Sequence, residues 1–330
     1  MLPAVDPAIL QALGLEATSS KMISHGGSGF ASSFKLTSVK DGEEVAYFIK
    51  TGTGEDASVM FRGEHTSLNA IHATIPTLCP QSHAHGALQA SPNRHFLATD
   101  FLDLHVSAPA GSGLSLAAKL ARLHTTPAPV PRDLATDALL FGFPVPTCCG
   151  ATAQDNSWRA SWAEFYADNR LRAVLRAGVG RNGGDGELEG AVERVAAEVV
   201  PRLLGEAHLS VVPVVVHGDL WSGNHGRGRI AGGGVEEVVY DPSCVYGHSE
   251  YELGIMRMFG GFGSAFWREY ERLVPKAEPV EEWDDRVALY ELYHYLNHFA
   301  LFGGGYRNGA MAIMRRLISK YGSGQCNTAG

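Results

Sequence analysis

The feature that most constrains this chain is a polar cluster set between two short apolar runs. Val211 to Val216 leads into His217-Gly218-Asp219-Leu220-Trp221-Ser222-Gly223-Asn224, and Val235 to Tyr240 leads into Asp241-Pro242-Ser243. Short apolar runs bounded by turn residues read as buried strands. His-x-Asp-x4-Asn therefore leaves the end of one strand, and a further carboxylate, 17 residues past Asn224, leaves the end of the next. A lone Asp after a strand is ordinarily a turn residue. Strand, His-x-Asp-x4-Asn, strand and Asp together are far more restrictive than any one of those parts.

This pattern matches the catalytic loop of eukaryotic-type kinases. Phosphoryl transfer asks little covalent chemistry of a protein: it needs a base at the nucleophile and hard oxygen ligands for Mg2+ at the nucleotide phosphates. Asp219 is the candidate base, and Asn224 and Asp241 are the candidate metal ligands. His217 is assigned an orienting or packing role.

The N-terminal third supplies the partners such a loop requires. His25-Gly26-Gly27-Ser28-Gly29-Phe30 is a loose glycine-rich turn whose amides can cover phosphates, with Gly27, Ser28 and Gly29 as candidate nucleotide contacts. Phe34 to Thr37 and Val45 to Lys50 read as strands joined by an Asp41-Gly42 turn. Lys50 ends the second strand, and Glu64 follows 14 residues later inside a helix expected over Ala57 to Ile71, placed to pair with it. Arg94 to Leu102 reads as another strand, with Asp100, Phe101 and Leu102 at a hinge where backbone groups would meet an adenine ring.

Beyond residue 102 strands become rare and helices are expected over Leu114 to Leu123, Trp158 to Leu175, Ala191 to Leu204 and Trp283 to Phe302. The shift implies an α+β chain of two lobes: residues 1–101, a β-rich nucleotide-covering lobe, and 102–330, a helical lobe with the catalytic loop, metal site and substrate-binding helices. The 330 residues, 45% hydrophobic and 19% charged, exclude a disordered or coiled-coil state. A net charge of −8 without a Lys/Arg cluster argues against a nucleic-acid partner. The 39 glycines exceed the average of about 7%, and the stretches Gly178 to Gly186 and Gly226 to Gly234 read as surface loops.

His217 to Asn224, Asp241-Pro242-Ser243, Tyr246-Gly247-His248, Phe259-Gly260-Gly261-Phe262 and Leu292-Tyr293-His294-Tyr295-Leu296-Asn297-His298 closely resemble the fructosamine/ketosamine-3-kinase family. Phe141-Gly142-Phe143 and Phe61-x-Gly63-Glu64 extend the likeness over almost the whole chain, and Asp-Leu-Trp-Ser-Gly-Asn is its most specific segment. The resemblance implies a bilobed protein-kinase-like fold near the aminoglycoside phosphotransferases. It also implies ATP- and Mg2+-dependent phosphorylation of the C3 hydroxyl of ketosamines, either small molecules or glycated lysines on proteins. In the family the 3-phosphate decomposes and frees the amine, so the implied role is deglycation and protein repair. Carried onto this chain, Asp219 becomes the base, Asn224 and Asp241 the metal ligands, and Lys50 and Glu64 the phosphate-anchoring pair. Trp221 is a candidate wall for the sugar, with an equal reading as a core aromatic, and His294 is a further substrate candidate on the Tyr290 to His298 helix. The glycine turn lacks the Cys of many animal and plant members, so thiol regulation is not expected there. Ser249, Tyr251 and Glu252 stand where Arg, Ala and Asp are common, a departure expected to bear on substrate contacts.

Other readings of the residues stay open at this point. The same fold could phosphorylate an aminoglycoside, choline or another small alcohol, or bind nucleotide without turnover. A metal-dependent hydrolase would need clustered His ligands, and His83-x-His85 has no third ligand near it in sequence. Five Cys with no C-x-x-C spacing suggest neither a zinc ribbon nor a disulfide framework, and Cys148-Cys149 reads as packing. The N-terminus lacks a leader pattern and no apolar run reaches membrane-span length, so a cytoplasmic location without a membrane partner is expected; the oligomeric state is left open.

Overall fold

The computed structural model describes residues 4–27, 31–105, 113–130 and 138–322, so Ser28 and Gly29 lie outside the described residues. Helix α1 (Pro7–Leu13) is capped by Asp6, whose carboxylate accepts the Ala8 amide, and ends at Gly14 in the left-handed conformation. Five strands form one antiparallel sheet: β1 (Lys21–Gly27), β2 (Ser32–Lys40), β3 (Glu43–Thr53), β4 (Ser82–Ala87) and β5 (Arg94–Asp100), in the order β1-β2-β3-β5-β4. Helix α2 (Gly54–Thr74) joins β3 to β4. Asp41 (φ 53°) and Gly42 (φ 84°) make the two-residue turn that the twist of the β2–β3 hairpin demands, so both strands run farther than their apolar cores suggest. Strand β1 continues through Gly27, which puts Gly26 and Gly27 at a strand end rather than in a free turn.

Period-two alternation decides what β3 offers each side. Tyr47, Ile49 and Thr51 are buried, Tyr47 and Ile49 against the α1 core, while Phe48 and Lys50 face the opposite side. On α2, Ala57, Phe61, Leu68 and Ile71 form the buried stripe at four- and three-residue steps, and Glu64 occupies the remaining position of that stripe. A carboxylate in an apolar stripe needs a partner, and Lys50 provides it.

The chain leaves the sheet at Asp100 and enters β6 (Leu102–Asp103), which pairs with Arg229 and Ile230. Beyond lie α3 (Leu116–Thr125), the hairpin β7 (Thr147–Cys149) and β8 (Thr152–Gln154), and α4, which spans Trp162–Glu164, widens through π turns over Phe165–Arg172 and returns to α over Ala173–Asn182. Helix α5 follows the same course over Gly186–Arg194, Val195–Val199 and Val200–Leu204. Strands β9 (Val214–Val216), β10 (His225–Ile230), β11 (Val235–Val239) and β12 (Val245–Gly247) frame the polar cluster. Helices α6 (Glu250–Phe259), α7 (Ser264–Leu273), α8 (Trp283–Phe302) and α9 (Tyr306–Tyr321) complete the fold. Helix α8, buried on nearly every face, packs with α4, α6 and α9 around Trp162, Tyr166, Tyr251, Tyr290 and Tyr293.

The two glycine-containing stretches are only partly loops. Gly178 and Gly180 lie in α4, Gly186 in α5, and Gly226 and Gly228 on β10. Gly178 packs against Phe299 and Ala300 of α8, and a Cβ on Gly228 would meet the backbone of Asp103 on β6. Among the described residues no helix is long and apolar enough to cross a membrane, and Cys79, Cys148, Cys149 and Cys244 are free thiols.

His248 and His294 are buried as neutral rings, desolvation pushing them down to about 4 and about 3 from an ordinary 6.5. The unfolded chain binds these two protons near pH 6.5 and the folded chain only well below it, so stability falls as pH drops through that window. The melting temperature is expected to decrease from pH 7 to pH 4, and His294→Phe to flatten that dependence; an unchanged slope in the variant would contradict it.

Candidate active site

A cleft of about 500 Å3 opens between the sheet and the β9–β12 region. On its sheet side the Lys50 ammonium lies 2.7 Å and 2.9 Å from the two Glu64 oxygens and 2.6 Å from Asp241 Oδ1. Burial opposes the charge on Lys50, yet the two carboxylates hold its pKa above the ordinary value. Burial likewise acts to raise the Asp241 carboxyl, and Lys50 more than offsets this, leaving it below its ordinary value. One cation thus joins a helix of the N-terminal sheet to the end of β11.

The loop after β9 is set by backbone hydrogen bonds. Buried Glu252 on α6 accepts the amides of His217 (2.6 Å) and Gly218 (3.0 Å). Burial works against its charge, but His124, 3.6 Å away, and His217, through its ring and its amide, keep its carboxyl below the usual range. Gly218 has φ +81°, and a Cβ there would collide with the Ser243 carbonyl, so only glycine fits. His217 Nδ1 accepts the Asp219 amide at 3.2 Å, which leaves the proton on Nε2 to be donated to the Tyr240 carbonyl at 3.0 Å. Its ring is fully buried and aligns the loop. Asp241 itself has φ +55°, a conformation that Asp tolerates better than most residues.

Asp219 lines both the cleft and a second cavity of about 240 Å3. Asn224 Nδ2 donates to its carbonyl (2.8 Å) and to Oδ2 (3.3 Å), and the Cys149 thiol lies 3.7 Å from Oδ1. Burial, with the Asp241 charge adding to it, pushes the Asp219 carboxyl up to about 8. The second cavity is otherwise neutral and largely aromatic: Trp221, Phe259, Phe302 and Tyr306 with Ile255, Leu301, Asn297 and His298. His298 Nδ1 donates to the His294 carbonyl at 2.8 Å, leaving Nε2 as an acceptor, and its ring lies 5.1 Å from those of Phe259 and Tyr306.

Of the residues singled out in the sequence, Gly27, Lys50, Glu64, Asp100, Leu102, Asp219, Trp221, Asn224 and Asp241 line the cleft together. Trp221 is 39% exposed and lines both cavities, so it is not a core aromatic. Two of the candidates, Phe101 and His294, line neither cavity. Phe101 sits beside the cleft-lining His25 and under the Lys35 ammonium; its amide donates to Ala46 and its carbonyl accepts from Ala231. His294 is wholly buried beside Tyr251 and Tyr293 and lines neither cavity, because helix α8 turns its side chain inward. The cavity-facing positions are Asn297 and His298. Nor do Tyr251 and Glu252 touch the second cavity: Tyr251 belongs to the aromatic core and Glu252 anchors the loop. Asp100 accepts from the Gln81 amide and from His83 Nε2 at 2.7 Å, which gives His83 a structural partner. Among the described residues no three His, Cys, Asp or Glu side chains gather as a metal cage.

Known proteins share this chain's family and fold. The family model described as fructosamine kinase matches residues 1–320. The mouse protein named ketosamine-3-kinase is 34% identical over 92% of this chain and 97% of its own length. The rice (indica) chloroplastic protein-ribulosamine 3-kinase is 35% identical over 82% of this chain and 71% of its own. Among solved structures, a fructosamine-3-kinase candidate from Thermobifida fusca superposes with TM-score 0.72 at 24% identity, covering 96% of this chain and 99% of that one. Aminoglycoside phosphotransferase APH(4)-Ia, in ternary complex with AMP-PNP and hygromycin B, superposes with TM-score 0.56 at 14% identity, covering 95% and 98%. The fold is thus the bilobed α+β architecture of kinase-like phosphotransferases, and the chain belongs to the fructosamine kinase family.

Proposed function

We propose that this protein transfers the γ-phosphoryl group of ATP to the C3 hydroxyl of a ketosamine, a ribulosamine or fructosamine carried on a lysine amine or a small amine. The observation that carries the reading is the place of Asp219, shared by a nucleotide-sized cleft holding Lys50, Glu64 and Asp241 and by a smaller aromatic cavity. A hydroxyl in the second cavity and a terminal phosphate in the first would both lie against this carboxyl group. Residues 1–101 would cover the nucleotide, and residues 102–330 would carry the base and hold the acceptor.

In the carboxylate form Asp219 accepts the hydroxyl proton as the oxygen attacks phosphorus, and Asn224 keeps the carboxylate turned toward the acceptor. Lys50, fixed by Glu64, neutralises charge on the nucleotide phosphates. Asn224 and Asp241 supply a carboxamide and a carboxylate oxygen, a hard donor set that fits Mg2+ when nucleotide phosphates complete the shell. Bound there, Mg2+ would neutralise phosphate charge and favour the ionised form of Asp219. Trp221 and Phe259, with ring centroids 5.8 Å apart, give the sugar a flat apolar wall.

The acceptor cavity favours a ketosamine over an aminoglycoside. Asp219 is the one carboxylate among its described lining residues, so a polycation would find no array of counter-charges there. Decomposition of the 3-phosphate would then release the free amine, making the reaction a deglycation step. The unpaired thiols Cys79, Cys148, Cys149 and Cys244 accord with a reducing compartment such as the cytoplasm.

A coupled assay with ribulosyl-lysine, fructosyl-lysine, choline and kanamycin is expected to show turnover with the ketosamines alone. Turnover restricted to kanamycin or choline would reverse the substrate assignment. Asp219→Asn is expected to lower kcat by about 10^2- to 10^4-fold while ATP binding is retained, and full activity in that variant would remove Asp219 as the base. Lys50→Met should reduce kcat/KM for ATP by about 10- to 100-fold; wild-type efficiency would show that Lys50 does not serve the nucleotide.

A further inference from the structure

Strand β7 ends in two consecutive cysteines, and the alternation of side chains along a strand sends them to different cavities. Cys148 lines the nucleotide cleft, and Cys149, 1% exposed, borders the acceptor cavity. The Cys149 Sγ lies 3.7 Å from Oδ1 of Asp219, while Asn224 donates to Oδ2 at 3.3 Å. Among the described residues these two side chains are the donors to that carboxyl group, one to each oxygen. The strand holding Cys149 is itself fixed from the acceptor side, since the Cys149 carbonyl accepts Asn297 Nδ2 of α8 at 3.2 Å. Asn297 lines the same cavity.

We propose that Cys149 is a positioning residue for the catalytic base: its thiol donates to Oδ1 of Asp219 and, with Asn224 on the other oxygen, fixes the plane of the carboxyl group against the acceptor hydroxyl. Burial and the neighbouring Asp219 raise the thiol well above its ordinary pKa, so it stays protonated and remains a donor. A thiol is a weak donor, which suits this position. It orients the carboxylate without competing strongly for the lone pair that must take the substrate proton. The Asn297 contact extends the chain of hydrogen bonds from α8 through the Cys149 backbone to the base. The inference rests on Asp219 acting as base in the proposed reaction.

Two measurements test it, and only one depends on that reaction. In steady-state kinetics Cys149→Ala is expected to lower kcat by about 3- to 10-fold with KM for ATP unchanged, and Cys149→Ser, which keeps a donor, to recover most of the loss. In infrared difference spectra of the full-length protein, wild type minus Cys149→Ala isolates the Cys149 S–H stretching band. That band is expected at the lowered frequency of a hydrogen-bonded thiol and should move toward the free-thiol frequency in Asp219→Ala. A wild-type kcat in Cys149→Ala, or a band that ignores Asp219→Ala, overturns the proposal. If the protein phosphorylates no ketosamine, the infrared arm still reads the contact, so failure of the functional reading is told apart from failure of this one. If Cys149→Ala does not fold, Cys149→Ser against wild type supplies the difference spectrum.

Discussion

The Lys50 ammonium, held between Glu64 on one side and Asp241 on the other, is the interaction on which the rest of the site depends. It requires β3 to present Lys50 to the cleft, α2 to bring a carboxylate into an apolar stripe, and the chain after β11 to place Asp241 within 2.6 Å. Losing one member of such a set leaves its partners with uncompensated charge in a partly buried cleft, which costs far more than an exposed ion pair contributes. The geometry of the two lobes and the electrostatics of the cleft are therefore one problem with one solution.

A second constraint acts on the loop itself. Its amides point at a buried carboxylate, its glycine occupies a conformation closed to other residues, and its histidine is locked as a single tautomer by the Asp219 amide and the Tyr240 carbonyl. None of these groups lines the acceptor cavity. They fix Asp219 where the two cavities meet, so that a small movement of the loop would carry its carboxyl group away from the second cavity. The high pKa of Asp219 follows from the same placement, since a carboxyl group deep between two cavities beside Asp241 is costly to ionise until positive charge enters the cleft.

Much of this was legible in the residues because the chemistry fixes their spacing along the chain. Lys50 on a strand face, Glu64 on a helix face, and Asp219, Asn224 and Asp241 just past or between short strands stand where short-range pattern suffices to place them, and the Asp41-Gly42 turn announces its hairpin. What escaped depends on contacts between distant segments. Glu252 reads as a family departure, and only the packing of α6 beneath the loop reveals it as the anchor. Cys149 reads as packing because its partner lies 70 residues away. Helix α8 is buried on almost every face, so its periodicity does not say which turn meets the cavity, and the sequence points to His294 where the structure sets Asn297 and His298 at the cavity wall. Phe101 is similar: a strand ending at a hinge does not disclose that Ala46 of β3 and Ala231, just past β10, already bond to its amide and carbonyl. The glycine count divides along the same line, since Gly218 is demanded by its φ and Gly228 by the approach of β6.

The central claim is that Asp219 directs phosphoryl transfer to one secondary hydroxyl of a ketosamine. Phosphorus NMR of the product formed from ATP and a ribulosamine tests it most directly. Transfer to the C3 oxygen gives a phosphate monoester coupled to a single carbinol proton, a doublet, which then decays as free amine accumulates. A stable triplet from a primary phosphate ester, or nucleotide hydrolysis with no ester at all, would contradict the account.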